Sequence, residues 1–290
     1  MKRVLLEMDL AGAEWVIVAY ISGDERMIAV CESGESPHVA TARFMFGAEP
    51  AYIKQEERDL EGCSDAKKLL AYRKEHAPSL LDGRALPPNK TLRQGGKNSN
   101  HSLNYGLGYK EYALRYGIEE KHAKPLRELY HEKAYPDIHK SFWTYVQHEI
   151  RQHGCLVNCF GHRRDFYSVP SAELWLDAYA HLPQSTVMGL TRMGMVHVYQ
   201  NEPDAELRMQ IHDSIVYSVP GDAEYISSFV SRATEIMTQP MTYRGRTFSL
   251  GLDSKIGLTK NKRHMIKVTG SLDVCRAALE AIENGNKAPA

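Results

Sequence analysis

Leu207-Arg208-Met209-Gln210-Ile211-His212-Asp213-Ser214-Ile215-Val216-Tyr217-Ser218-Val219 reads as two strands folded back on a short tip that carries an acid. The apolar runs on either side would bury Asp213 unless a metal or hydrogen bonds replace its lost hydration. A turn-capping aspartate is the plainer alternative. A second acid, in Met8-Asp9-Leu10, closes the β-rich stretch Arg3 to Met8 and so falls at a strand end. Between the two acids lies Arg93-x3-Lys97-x3-His101-x3-Tyr105-Gly106. On a helix, residues four apart drift by about 40° per step, so these side chains wind slowly along one side, two cations first and two rings after. Arg and Lys suit phosphate oxygens, and the rings suit a sugar and base. A solvated basic helix has the same spacing. Together the three segments read as a nucleotidyl-transfer site, in which paired acids share two Mg²⁺ ions and a cationic helix grips a triphosphate.

The 290 residues suffice for one large domain or two smaller ones, with 43% hydrophobic content and a formal charge of zero. No global basic excess announces nucleic acid, so any such face must be local or come from a partner. Five cysteines, Cys31, Cys63, Cys155, Cys159 and Cys275, are an odd number without a recognisable secretory leader. That predicts free thiols and a cytoplasmic protein, in the host cytoplasm if the chain is viral. The longest apolar run, Trp15 to Ile21, falls short of the roughly 20 residues that span a bilayer.

Outward from the motifs, Glu14 to Ile21 is β-rich, and Gly23-Asp24 signals a turn. From Pro37 to about Gly154 the pattern is helical, broken by Pro78, Pro87-Pro88, Gly117, Pro125 and Pro136. It includes a capped basic helix from Ser64 to His76 and a helix capped by Asn89 or Thr91 that runs through Tyr105. Cys155 to Phe160, a Gly161 turn and Arg164 to Val169 suggest a hairpin, followed by a long helix from about Ala172 to Tyr199. Phe248 to Ile256 gives a last strand, and Ser271 to Asn284 a terminal helix. His153, Cys155, Cys159 and His162 are close in sequence, but their spacing inside a hairpin is a poor fit to paired zinc-ligand knuckles.

With these segments in order, nearly the whole chain resembles the palm and fingers of a family A DNA polymerase, most of all a bacteriophage member. Asp9-Leu-Ala-Gly-Ala-Glu14 is similar to the family's first motif. The resemblance implies that Asp9 and the Leu10 carbonyl bind metal and that Glu14 closes against the sugar. His38-x2-Thr41, then Phe44, resembles the segment after the palm strand. Arg93, Lys97, His101, Tyr105 and Gly106 resemble the fingers helix, which implies triphosphate contacts for Arg93 and Lys97 and the insertion site for Tyr105. Tyr135-Pro136-x-Ile138 is similar to the family's next helix. Phe160-Gly161-His162-Arg163-Arg164 resembles its arginine turn, Gln184-Ser185 its minor-groove glutamine, and Gln210-Ile211-His212-Asp213 its third motif. That last likeness makes Asp213 a metal ligand and His212 a primer contact. Leu252 to Gly257 is similar to the closing palm strand.

The chain also departs from the pattern. His101 stands where the family has Phe or Tyr, Ser214 replaces the acid after the catalytic Asp, and Ala180, Leu176, His162 and Val16 replace an Asn and three Arg. Between Gly47 and Arg93 the chain is longer than the family norm, and the excess holds the basic helix, which could contact template or another protein.

The expected fold is α+β: a right-hand palm, an antiparallel sheet with helices, plus helical fingers, lacking thumb and exonuclease domain. The palm takes residues 1–35 and 151–268, the fingers 36–150 with an insertion about 48–90, and a C-terminal helix and tail 269–290. Because the first motif begins so near residue 1, the expectation is a split polymerase. Primer-template DNA and dNTPs are its substrates, and a second polypeptide supplies the thumb, the upstream palm strands and, in some arrangements, an exonuclease. Membrane is not a partner. Rival readings are a two-metal nuclease, for which the Arg93/Lys97/Tyr105 helix has no task, and a non-catalytic replisome or DNA-binding subunit.

Overall fold

A computed structural model describes residues 3–82, 85–261 and 264–285. Strand β1 (Arg3–Ala11) leads into helices α1 (Ala13–Ser22), α2 (Glu25–Ser33), α3 (Pro37–Phe46), α4 (Pro50–Leu60), α5 (Ala66–His76), α6 (Leu92–Leu103), α7 (Tyr109–Tyr116), α8 (Glu120–Glu128) and α9 (Thr144–His153). Short strands β2 (Cys155–Val157) and β3 (Arg163–Asp165) precede the long helix α10 (Ala172–Asn201). Then come β4 (Glu206–Ile211), β5 (Ser214–Pro220), α11 (Ala223–Met237), β6 (Met241–Tyr243), β7 (Arg246–Phe248), β8 (Gly251–Gly257), β9 (Ile266–Val268) and α12 (Leu272–Glu283). Two compact units result: residues up to 13 with those from 184 onward, and residues 14–183, the boundary falling inside α10 after Pro183.

The first unit is an antiparallel sheet in the order β4-β5-β1-β8-β9. Along β1 the side chains alternate between its faces. Val4, Leu6, Met8 and Leu10 are at most 2% exposed and build the core, each contributing about 1.5–3 kcal/mol by burial. Glu7 and Asp9 point to the other face. Helix α11 covers the apolar face. Asp222 caps it by accepting from Tyr225 N at 2.8 Å, and its buried stripe Ile226, Phe229, Val230, Ala233 and Met237 follows helical spacing. Phe229 meets Tyr217 of β5 edge-on, with ring centroids 5.4 Å apart.

The second unit is helical. Here α6 backs onto α3 so closely that a Cβ on Gly96 would lie 2.3 Å from the His38 carbonyl oxygen and 2.9 Å from Ala42 N. Only glycine permits this approach. A buried hydrogen-bond network fastens the same region: Thr41 Oγ1 donates to Asn100 Oδ1 at 2.8 Å, and Tyr130 donates to Asn100 and Asn104 at 3.0 and 2.6 Å.

Several local expectations are revised. Glu14 to Ile21 is helix, not strand; Trp15, Ile17, Val18, Ala19 and Ile21 are all buried in α1, and a short apolar run read alone does not separate the two. Strand β1 continues past Asp9 to Ala11. Helix α6 stops at Leu103, before Tyr105, because Trp143 Nε1 takes the Asn104 carbonyl at 2.8 Å and Gly106 turns the chain at φ +86°. The β2–β3 hairpin is shorter than expected, its turn organised by Asn158 Oδ1 accepting from Phe160 N and His162 N, each at 3.0 Å. Helix α11, the β6–β7 hairpin and β9 are additions. Among the described residues no helix is long and apolar enough to cross a membrane.

Candidate functional site

In the first unit, the β4–β5 hairpin turns on His212 and Asp213, closed by the Ile211–Ser214 pair. His212 has φ +53°, a left-handed conformation that disfavours most side chains, and Gln210 Nε2 donates to its carbonyl at 2.6 Å. The turn is tied to the central strand, with Leu10 N donating to the Asp213 carbonyl at 3.3 Å. Ser214, the residue after Asp213, is the register partner of Asp9, and Asp9 faces Asp253 of β8 on its other side. The ladder therefore brings Asp9 and Asp213 together from opposite ends of the sequence, neighbouring strands lying about 4.8 Å apart. Asp253 is engaged by Lys267 Nζ at 2.5 Å.

The donor set is all oxygen, which suits Mg²⁺. Among the described residues no group of three or more His, Cys, Asp or Glu gathers to hold an ion. Mg²⁺ is commonly bound through one or two carboxylates, with substrate oxygens and water completing the shell. The two acids thus fit the metal when a triphosphate accompanies it.

In the second unit, Thr91 caps α6 by accepting from Gln94 N at 3.2 Å. Arg93, Lys97 and His101 then follow on the helix, and Tyr105 and Gly106 lie in the turn beyond it. Arg93 meets Glu57 of α4 at 3.3 Å, and Glu57 also accepts from the Thr91 hydroxyl. His101 is exposed, its ring 6.2 Å from that of His38. Burial, and then the charges of Arg93, His101 and Lys97, push His38 down to about 3, so it stands neutral beside the cations. Tyr105 donates its hydroxyl to the Glu14 carboxylate. Burial, reinforced by the Glu14 charge, holds that hydroxyl well above its usual range, which keeps it a donor. A Cβ on Gly106 would come 3.3 Å from Tyr179 and 3.5 Å from Trp143, so the turn needs glycine.

The chain between Gly47 and Arg93 braces this helix from outside. Arg73 of α5, 3% exposed, pairs with the fully buried Glu56 of α4 at 2.7 Å and donates to the Pro87 and Lys90 carbonyls at 2.7 and 2.8 Å. Glu56 in turn accepts from Leu92 N at 2.5 Å. The segment entering α6 is thus held at three backbone points. Sequence reading passed over Glu56 and Glu57, and no local signal marks them, since their partners stand up to 36 residues away.

Of the remaining candidates, Arg163 pairs with Asp165 at 2.7 Å and Arg164 with Asp177 at 2.7 Å, both on exposed surface. Gln184 is exposed on α10. All five cysteines are free thiols.

The profile of DNA polymerase family A matches residues 83–263. The thermostable DNA polymerase I of Thermus filiformis is 27% identical over 241 residues, 80% of this chain and 24% of the relative. DNA polymerase I of Chloroflexus aurantiacus is 24% identical over 263 residues, 86% of this chain and 23% of the relative. The chain therefore spans about a quarter of the length of these relatives. Among solved structures it is similar to the POL domain of Pol1 from M. smegmatis in complex with DNA primer-template and dNTP, with a TM-score of 0.66 at 18% identity over 88% of this chain and 40% of that one. The mixed helix-and-sheet fold is that of a family A polymerase domain.

Proposed function

The chain belongs to DNA polymerase family A, and from that premise we propose that it is the palm and fingers of a DNA-directed DNA polymerase, adding dNTPs to a primer 3′-hydroxyl on a template. The observation that carries the reading is the junction of Asp9 and Asp213 through the Leu10–Asp213 backbone bond at the tip of an antiparallel sheet. Asp9 and Asp213, with the Leu10 carbonyl, would hold two Mg²⁺. Bound there, the ions would favour ionisation of the 3′-hydroxyl and neutralise the leaving pyrophosphate. Arg93 and Lys97 neutralise the triphosphate, Arg93 exchanging Glu57 for phosphate oxygens. Tyr105, locked to Glu14, and Gly106 form a rigid wall for sugar and base, and His101 faces the 3′ side of the sugar. His212 contacts the primer, and Arg163, Arg164 and Gln184 contact the duplex. The two arginines can trade their exposed aspartate partners for phosphates at small cost, because such surface pairs are weak.

The palm then comprises residues 1–35 and 151–268, the fingers 36–150, and the C-terminal helix and tail 269–290. The protein is of bacteriophage type, works in the host cytoplasm, and pairs with a second polypeptide that carries thumb and upstream palm strands. Strand β4 supports this pairing. It is an edge of the sheet, and Leu207, Met209 and Ile211 along it are 52, 42 and 43% exposed, a surface open to strand addition.

Primer extension with Mg²⁺ and dNTPs, by the chain alone and after co-expression with neighbouring reading frames, tests both levels. Activity that appears only with a co-purifying partner supports the split enzyme, and activity of the chain alone removes the need for one. Asp213→Asn should abolish extension with little change in melting temperature. Near wild-type extension by that variant refutes the assignment.

A further inference from the structure

The strand that carries Asp9 carries another acid on the same face, Glu7, to which sequence reading gave no role. Glu7 is 3% exposed. A carboxylate taken out of water that far is costly unless it is paired, and its partners are specific. Its Oε1 accepts from Ser214 Oγ at 3.1 Å and lies 3.7 Å from Lys260 Nζ, whose side chain is 26% exposed. Ser214 is at once the register partner of Asp9 and the residue following Asp213. A strand serving packing alone would place an apolar residue at position 7, as it does at Leu6 and Met8 on the other face. Glu7 instead anchors a residue that bears on the placement of both acids.

We propose that Glu7 is a positioning residue for the Asp9–Asp213 pair. Its bond to Ser214 fixes the hairpin tip against β1, and it returns from the neighbouring strand the negative charge that a serine at position 214 does not provide. Lys260 balances that charge in the absence of a cation. Glu7 stands behind the pair and is not a ligand, its Oε1 being engaged by Ser214 and Lys260. The inference rests on the metal-binding reading of Asp9 and Asp213.

The test is Mn²⁺ binding to the full chain, followed by the electron paramagnetic resonance signal of free Mn²⁺, together with the Mg²⁺ dependence of primer extension. Glu7→Ser should weaken Mn²⁺ about 10–100-fold, the range for loss of a partner that orients metal ligands, and should raise the Mg²⁺ needed for half-maximal extension. The KM for dNTP at saturating Mg²⁺ should stay unchanged. Glu7→Ser combined with Ser214→Glu, which passes the carboxylate back across the same hydrogen bond, should recover most of the lost affinity. Glu7→Gln, which keeps shape and acceptor, isolates the charge should Glu7→Ser not fold, and should shift in the same direction. Mn²⁺ affinity unchanged in Glu7→Ser or Glu7→Gln, or a loss that the exchange does not recover, overturns the proposal. Asp213→Asn separates the two levels. If it binds Mn²⁺ and extends like wild type, the metal reading itself fails; if it loses both while the Glu7 variants lose neither, only the role of Glu7 fails.

Discussion

Replacing Arg73 by alanine probes how firmly helix α6 is held. The substitution removes the partner of Glu56, a carboxylate with no exposure, and takes donors from the carbonyls of Pro87 and Lys90. Breaking a buried pair by deleting one member costs about 3–5 kcal/mol, because the other charge is left uncompensated. Glu56 keeps its bond from Leu92 N, which places the expectation near the middle of that range, about 4 kcal/mol. For a unit of this size that is roughly 8–16 °C in melting temperature. Thermal and urea unfolding measure it, and hydrogen exchange at Leu92 to Gln94 should show faster opening of the first turn of α6. Because Arg93 sits in that turn, dNTP affinity should weaken as well. Removing both charges with Glu56→Gln and Arg73→Met should restore much of the stability, since a buried pair contributes little over well-packed neutral residues. A single Arg73→Ala variant within about 1 kcal/mol of wild type would show that the brace is not what holds α6.

Three further outcomes are expected. Gly96→Ala should destabilise by about 1–3 kcal/mol, because its Cβ meets the α3 backbone at His38 and Ala42, and calorimetry reads this directly. His212→Gly should stabilise the hairpin by up to about 1 kcal/mol through relief of its left-handed backbone, while lowering primer extension through loss of the imidazole; a variant less stable than wild type contradicts the strain. Stability should also fall in acid. His38 and His131 are each pushed from 6.5 down to about 3, chiefly by burial. The unfolded chain therefore takes up their protons from about pH 6.5 while the folded chain does not, and the penalty grows until about pH 3. His131→Phe should flatten part of that slope in urea titrations between those limits. An unchanged slope places the acid sensitivity elsewhere.

What the sequence disclosed depended on range. The Asp213 hairpin, the Thr91 cap and the long helix near residue 172 are written in local patterns of strand, turn and cap, and the structure has them within a few residues. The short β-branched helix α1 was misread because its apolar residues surround it, leaving no polar stripe to mark the period. Tyr105 was placed on α6 because the four-residue rhythm continues through it; what ends the helix is Trp143, distant in sequence, together with the turn at Gly106. The same holds for Glu57 against Arg93 and Arg73 beneath α6, where the decisive partner is tertiary. Glu7 was within reach: counting by twos back from Asp9 puts it on the same face.

Strand β1 makes one further demand on this chain's descendants. Its even positions are core and its odd positions carry Glu7 and Asp9, so substitution can proceed at either set under separate constraints of volume or charge. Length is another matter. One residue gained or lost between Arg3 and Asp9 would turn the acids inward and Leu6 and Met8 outward, destroying core and chemistry in a single step. Lineages that drift far in sequence should therefore still keep the number of residues between the first core position and Asp9, and that count, more than any residue identity around it, is the ruler by which distant relatives of this strand can be aligned.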